Sequence, residues 1–179
     1  MERKTLSKEV VFISALVLDS IAMTLLTMSD FGISTMSSLP WVLSVIFNKL
    51  SFGTVNFIVQ SILLLILMAI TKQPKITYIF SFVLGMVFGL LVDLFSVILN
   101  ILPTEFGYRI TYFIIGWLLM ALTASLFIRT TYPLMPFDGF VSDLSTFTNK
   151  PVKTIKTCVD ISFILTTIII SYIKLNRII

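Results

Sequence analysis

Apolar residues are concentrated in five long blocks that together take up most of this sequence. Each block has roughly 16–24 residues, close to the ~20 that a helix needs to cross a 30 Å hydrocarbon layer at a rise of 1.5 Å per residue. Backbone amides in lipid must be hydrogen-bonded within the protein, so the pattern predicts an all-α, polytopic transmembrane helix bundle with about five spanning helices. The blocks are Val10–Met28, Phe52–Thr71, Ile76–Leu99, Tyr112–Ile128 and Cys158–Ile173.

The composition agrees with a membrane environment. Hydrophobic residues make up 57% of the 179 residues and charged residues 12%, whereas ordinary soluble domains carry about 25% charged residues. The mean hydropathy is +1.04. Short connectors favour one integral membrane domain over residues 1–179. The expected partner is the lipid bilayer and not nucleic acid, because the basic residues lie near block ends and are not interleaved with aromatic side chains.

Lysine and arginine residues are distributed unevenly between the connectors. With the N-terminus in the cytoplasm, the larger group falls inside and the smaller group outside, which supports this orientation. The first block is longer than the core of a cleaved signal peptide, so it is predicted to be retained. The inside group is Arg3, Lys4, Lys8, Lys72, Lys75, Arg129, Lys150, Lys153 and Lys156, and the outside group is Lys49, Arg109, Lys174 and Arg177.

Two connectors are longer than the others and contain a proline. Each is expected to open with a non-helical, Ser/Thr-rich stretch and to form a helix of about ten residues from its proline onward. These segments, 39–50 and 137–148, are too short to span and are either re-entrant or amphipathic helices resting at the headgroups. Ser51 and Asn149, the latter with Pro151, are predicted to cap the helices that follow. Residues 29–51 form the first connector, with Gly32 and Pro40, and residues 129–150 the second, with Pro136 and Asp138.

The order of blocks and connectors is repeated, over residues 10–99 and again over residues 112–173. The leading block corresponds to Tyr112–Ile128, and Phe52–Thr71 corresponds to Pro151–Ile173. Three spans in the first half would invert the second half relative to the bilayer. Inverted repeats with discontinuous membrane segments recur in secondary transporters.

Four short motifs are spread over most of the chain. They are Gly32-Ile33-Ser34 before Leu39-Pro40-Trp41, the helix start Ser51-Phe52-Gly53-Thr54-Val55-Asn56, the segment Gly85–Asp93, and Pro136-Phe137-Asp138. Together they resemble the YczE/YitT-like family of small bacterial membrane proteins. The resemblance implies a bacterial cytoplasmic-membrane protein built of two related halves, with no settled substrate. It also implies a further Gly-rich helix after the last block, which this sequence does not include.

Three acidic residues lie inside the apolar blocks, where ionisable groups are functional candidates. Asp19 is at the centre of the first block, and no basic residue is expected at the same depth. It either binds a ligand or a proton, or accepts a hydrogen bond from a serine or threonine on a neighbouring helix. The other two acids have basic residues within reach. The expected ion pairs are Asp93 with Arg109, and Asp160 with Lys156 and Arg129.

Two further helices carry polar or small residues on one face. In the third block Ser81, Gly85, Gly89 and Asp93 recur every four residues, so they share a face. Gly85 and Gly89 form a GxxxG pattern, which predicts a packing seam that lets another backbone approach closely and turns Asp93 toward the bundle interior.

The second block carries an amide pair. Asn56 and Gln60 share a face, and Gln60 corresponds to Asp160 in the repeat. Together with Asp19 they would form a polar cluster around the bundle axis, or they simply make hydrogen bonds between helices.

These features favour a transporter or a membrane-embedded binding subunit for a small solute or cation, with a proton or cation engaged by Asp19. The alternative is a non-transporting membrane partner or a homo-oligomer, in which Gly85 and Gly89 face a foreign helix. An enzyme is not expected, because there is no histidine, one cysteine, and no nucleophile or phosphate-binding motif. No cofactor or metal is predicted.

Overall fold

The computed structural model describes residues 7–72, 75–130 and 135–175, and these residues form seven helices. Five of the helices are long and apolar enough to cross a membrane, so the predicted all-α fold with five candidate spans is confirmed. The charge-count residues Arg3, Lys4 and Arg177, and the connector residues Thr131 and Tyr132, lie outside the described residues. The helices are α1 (Lys8–Ser29), α2 (Thr35–Ile46), α3 (Phe52–Thr71), α4 (Ile76–Leu99), α5 (Phe106–Arg129), α6 (Pro136–Thr148) and α7 (Val152–Leu175).

Two of the long helices begin more than one turn before their apolar blocks. Helix α5 begins at Phe106 instead of Tyr112, and α7 begins at Val152 instead of Cys158. Hydropathy marks the part of a helix that matches the hydrocarbon layer, whereas polar first turns extend the same helix toward the headgroups. The apolar blocks therefore predicted the positions of the spanning helices correctly and underestimated the lengths of α5 and α7.

The chain divides into two compact units. Unit 1 contains α1, α5 and the end of α4 from Leu94 onward, and unit 2 contains α2, α3, α4 as far as Asp93, α6 and α7.

Unit 1 is built on an antiparallel pair of spanning helices. Phe12 near the start of α1 meets Phe127 near the end of α5, with ring centroids 5.6 Å apart, and Phe31 just after α1 meets Phe106 at the start of α5, at 5.8 Å. Gly116 allows the two helices to come close, since a Cβ there would lie 2.9 Å from the Leu26 Cγ atom. The pair is thus packed along its whole length.

Unit 2 combines two helical hairpins. Helix α2 packs on α3 and α6 packs on α7, and in addition α2 packs on α7 and α6 on α3. The short helix of each predicted half therefore contacts the long helix of the other half. Apolar side chains from all four helices fill the space between them, including Leu39, Val59, Phe137 and Phe163.

The first short helix begins earlier than predicted. Helix α2 starts at Thr35, and Pro40 lies inside it, so the expectation that the helix starts at its proline is wrong for the first connector. A proline within a helix loses one backbone hydrogen bond, here the one to the Met36 carbonyl four residues earlier, and such a loss is tolerated in membrane helices. The nearby Ser38 hydroxyl donates to a different carbonyl, that of Thr35, at 2.6 Å. Only Pro136 is the first residue of its helix.

Of the two predicted N-terminal helix caps, the one at Ser51 is confirmed and the one at Asn149 is wrong. Ser51 precedes α3, and its side chain accepts a hydrogen bond from the Thr54 amide at 3.2 Å, so this cap is confirmed. Asn149 does not cap α7. It ends α6 in a left-handed conformation with φ 53°, a position that asparagine tolerates better than most residues.

Candidate functional site

Helix α2 begins beside the middle of a spanning helix. The Thr35 hydroxyl donates to the Asp160 carboxylate at 2.7 Å, and Asp160 lies well inside α7. Further along, the Ser38 and Thr167 hydroxyl groups are 3.0 Å apart. Helix α2 therefore runs from the middle of α7 toward the C-terminal end of α7.

Helix α6 also begins beside the middle of spanning helices. A Cβ placed on Gly85 of α4 would lie 2.8 Å from the Gln60 Oε1 atom of α3 and 3.0 Å from the Pro136 ring. Further along α6, Asp143 forms an ion pair with Lys75, with the Lys75 Nζ atom 3.0 Å from the carboxylate. Lys75 immediately precedes α4, so α6 runs toward the connection between α3 and α4.

The two short helices run in opposite directions from the middle of the spanning helices. Helix α2 ends beside the start of α3, where Trp41 and Phe52 make an edge-to-face contact at 5.7 Å, whereas α6 leads to the end of α3. With 12 and 13 residues, each is about 18–20 Å long, roughly half of a bilayer. This depth favours the re-entrant interpretation over helices lying at the headgroups.

The polar residues at the two helix starts occupy corresponding positions. Gln60 lies eight residues after Phe52, the first residue of α3, and Asp160 lies eight residues after Val152, the first residue of α7. Gln60 is next to the start of α6, and Asp160 is next to the start of α2. The chain thus brings one amide and one carboxylate to the mid-span ends of the two short helices.

Two amide side chains at this level are fully buried. Asn56 is 1% exposed and Gln60 is 3% exposed. Within the described ranges, both polar atoms of the Asn56 side chain and the Gln60 Oε1 atom have no hydrogen-bond partner. A buried polar group without a partner costs about 1–3 kcal/mol. The Tyr78 hydroxyl, near the start of α4, also lacks a partner among the described residues, so among the buried groups near mid-span these two amides are the ones that require a functional explanation.

Asp93 has a different role from the one predicted. Its carboxylate accepts hydrogen bonds from the Gly53 amide at 2.8 Å, the Ser51 hydroxyl at 2.5 Å and the Thr54 hydroxyl at 3.4 Å. The predicted partner was Arg109, and this is wrong: Asp93 binds the N-terminal turn of α3. The first N–H groups of a helix lack intrahelical acceptors and attract a carboxylate. The pattern of charged residues in the sequence does not show these backbone donors.

The second acid also has an unpredicted partner. Lys156 and Arg129 were expected beside Asp160, and the hydrogen-bond donor is instead Thr35. Lys156 interacts electrostatically with Asp138, in the first turn of α6.

The glycine seam on α4 is internal to unit 2. A Cβ on Gly53 would lie 2.1 Å from the Gly89 carbonyl oxygen, and a Cβ on Gly89 would lie 2.6 Å from the Gly53 carbonyl oxygen. Gly85 faces Gln60 and Pro136, and Ser81 on the same face is buried. The close approach predicted at the seam is present, and the backbone that Gly89 meets belongs to α3 of this chain and not to a foreign helix.

Asp19 in unit 1 accepts a hydrogen bond from a buried threonine. The Thr123 hydroxyl of α5 donates to the Asp19 carboxylate at 2.8 Å, and Thr123 is fully buried. This matches the structural alternative, a hydroxyl from a neighbouring helix. The predicted grouping of Asp19 with Asn56 and Gln60 stays a prediction.

The Thr123→Val substitution keeps the shape of the side chain and removes this donor. We expect a loss of about 1 kcal/mol in the free energy of unfolding, in the range of interhelical hydrogen bonds in membranes. The decrease of the thermal unfolding midpoint in detergent measures this loss of stability. Thr111→Val is the matched control, because the exposed Thr111 hydroxyl bonds only within its own helix, to the Gly107 carbonyl. Equal losses in both variants would contradict a role for the Asp19 contact.

Sequence reasoning missed one polar cluster in unit 1. Arg109 forms an ion pair with Asp30, donates to the Ser29 carbonyl at 3.0 Å, and lies 5.9 Å from the centre of the Phe31 ring. Gly32 follows with φ 136°, a conformation that glycine adopts readily. The available signal was the antiparallel pairing of α1 with α5, which brings the end of α1 to the start of α5.

The fold and its buried polar residues define a multi-pass helical membrane protein. Residues 6–179 match the model of a family of unknown function, DUF6198, and the chain belongs to this family. Searches of curated proteins and of solved structures gave no significant match. The resemblance to the YczE/YitT-like family stays a prediction. Within the described ranges, no group of three or more His, Cys, Asp or Glu side chains could hold a metal ion.

Proposed function

We propose that this protein binds a small polar solute near the middle of the bilayer and moves it across the membrane. The observation that carries the proposal is the pair of oppositely directed short helices in unit 2, both of which begin beside the middle of spanning helices. In secondary transporters, discontinuous helices of this kind form substrate sites near the bilayer midplane. The proposal concerns binding and movement, not catalysis.

The chemistry at the helix starts supports a polar ligand. The Asn56 and Gln60 side chains supply both donors and acceptors without a net charge. N–H groups in the first turn of each short helix add donors, since they lack intrahelical acceptors; in α6 these are the groups after Pro136, whose nitrogen carries no hydrogen. The Asp160 carboxylate at the start of α2 is a further acceptor, and a neutral solute adds no second charge at a depth where unpaired charges are costly. Such a ligand would compensate the buried amides that lack partners.

The reciprocal packing of unit 2 supports a mechanism of alternating access. Each short helix contacts the long helix of the other predicted half, and each leads from the mid-span level to an opposite end of the spanning helices. A change in the packing of one short helix would open the site toward one side only. Relative rocking of related halves is the usual way in which such folds alternate access.

The amides are expected to lower stability in the absence of a ligand. Replacing Asn56 with leucine or Gln60 with methionine keeps the approximate shape and removes the unpartnered polar atoms. Each variant should therefore be more stable than the wild type by about 1–2 kcal/mol. The thermal unfolding midpoint in detergent, measured without added solute, tests this expectation.

The same variants test the function. A panel of neutral amides, polyols, amino acids and monovalent salts is screened for compounds that raise the wild-type midpoint, as mass action requires of a ligand. Asn56→Leu and Gln60→Met should lose the response, and Ser61→Ala should keep it. Ser61 is the control because its hydroxyl bonds within its own helix, to the Phe57 carbonyl at 2.7 Å. The proposal would be refuted if both amide variants were less stable than the wild type and no compound raised the wild-type midpoint.

A further inference from the structure

A concave apolar surface lies on the outer side of the hairpin formed by α3 and α4. Its volume is about 510 Å³, within the ~300–1,000 Å³ range of ligand pockets. This groove lies beside the connection between the two helices and is separate from the amide pair. Its lining residues are Ser61, Leu64, Leu65, Met68, Lys75, Ile76, Tyr78, Ile79 and Phe82.

The groove lies on the part of the surface that faces lipid. Leu65 and Ile79 are each 64% exposed, and both belong to spanning helices. Exposed apolar side chains on such helices contact acyl chains. Because the surface is concave, a single chain that enters it is contacted from both α3 and α4.

Positive charge lies at one end of the groove. Lys75 lines it, with a side chain that is 45% exposed, and Lys72 is exposed at the end of α3. Both lie where the helices end, and helix ends are at the level of lipid phosphates. The groove end is also the start of α4, whose first N–H groups favour an anion.

We propose that this groove is a binding site for an anionic phospholipid, with one acyl chain in the groove and the phosphate at Lys72 and Lys75. The apolar lining fits the chain and the two ammonium groups fit the phosphate, so charge and shape select the same ligand. Each lysine near a membrane surface contributes about 1 kcal/mol toward anionic lipid. Lys75 also pairs with Asp143 of α6, which puts the lipid phosphate next to a short helix.

The test uses the full chain purified in a neutral detergent. Phosphatidylglycerol and phosphatidylcholine with identical acyl chains are added separately, and bound lipid is counted by native mass spectrometry together with the thermal midpoint. The wild type should retain phosphatidylglycerol with a preference of at least five-fold over phosphatidylcholine. Lys72→Gln should lower this preference about five-fold, and it leaves the Lys75–Asp143 pair in place.

Two further variants distinguish the contribution of the acyl chain to lipid binding from that of the headgroup. Ile79→Trp fills the groove and should weaken binding of both lipids. Neither Lys49 nor Lys72 lines the groove itself. Lys49→Gln is the matched control, since the exposed Lys49 precedes α3, at the opposite end of that helix from Lys72, and it should bind like the wild type. Equal binding of the two lipids by the wild type, or an equal loss in the Lys49 and Lys72 variants, would overturn the proposal. Glycerol 3-phosphate, which has no acyl chain, is the third compound tested. If it raised the thermal midpoint as much as phosphatidylglycerol does, the site would bind free phosphates, and the proposed role of the acyl chain would be overturned.

Discussion

Replacing Gly53 with alanine should lower the free energy of unfolding by at least about 3 kcal/mol, more than the same change at Gly85, Gly89 or Gly116. The new Cβ would lie 2.1 Å from the Gly89 carbonyl oxygen and 2.6 Å from the Asp93 carboxylate. Overpacking usually costs about 1–3 kcal/mol, and here the atom that must yield is backbone. The midpoint of thermal or SDS-induced unfolding measures the loss.

Gly107→Ala is the matched control for this substitution. Gly107 also lies in a helix, and a Cβ there would meet nothing within 4 Å. Alanine is favoured over glycine in a helix by about 1 kcal/mol, so this variant should be as stable as the wild type or slightly more stable. Similar midpoints for the Gly53 and Gly107 variants would show that α3 and α4 are not in backbone contact.

Removing the Asp93 carboxylate should have the second largest effect, about 3 kcal/mol for Asp93→Ala. The substitution leaves the Gly53 amide without its acceptor and removes the charged acceptor of the Ser51 hydroxyl, which keeps only the Thr54 hydroxyl oxygen at 2.7 Å. Hydrogen bonds to a charged group contribute about 1.5–3 kcal/mol. Asp93→Asn keeps one acceptor oxygen and should lose about half as much. Unfolding midpoints of the two variants at neutral pH measure the difference.

The control for the Asp93 series is Asp30→Asn. Asp30 also forms a charged contact, with Arg109, and its side chain is 61% exposed. Exposed ion pairs contribute about 0.2–1 kcal/mol, so this change should be nearly neutral. If Asp30→Asn were as costly as Asp93→Asn, the cap on α3 would not be the reason for the loss.

The sequence predicted the elements that depend on hydropathy alone. Five apolar blocks correspond to five long helices, because a helix in lipid must be apolar over the hydrocarbon thickness whatever its neighbours are. The spacing of Gly85 and Gly89 also predicted the packing face correctly, since four-residue intervals fix a face without knowledge of the partner.

The sequence did not predict the partners of the polar residues. Position along a helix gives depth, but the contacts also depend on the rotation of each helix and on its neighbours. Arg109 was within reach of Asp93 by depth, yet it binds Asp30. The helix caps were predicted incompletely for a similar reason. Asparagine is common both before the first turn of a helix and after the last one, and only the structure shows that Asn149 ends α6.

The mid-span site was only partly predictable. The repeat related Gln60 to Asp160, and the prolines marked the connectors. Neither feature gave the direction of α2 and α6 or the burial of Asn56, because these follow from packing across hairpins that are distant in sequence. The start of α2 at Thr35 was missed because a proline suits the first turn of a helix but is also tolerated inside a membrane helix, and the sequence does not distinguish the two positions.

The contact between Gly53 and Gly89 limits how unit 2 can move. Two backbones at this distance cannot slide or rotate past each other without a collision between main-chain atoms, and the bond from the Gly53 amide to Asp93 fixes their register. The α3–α4 hairpin is thus expected to move as one rigid body. If the protein moves a solute as proposed above, a crosslink between α3 and α4 should leave that movement intact, and a crosslink between α3 and α6 should stop it.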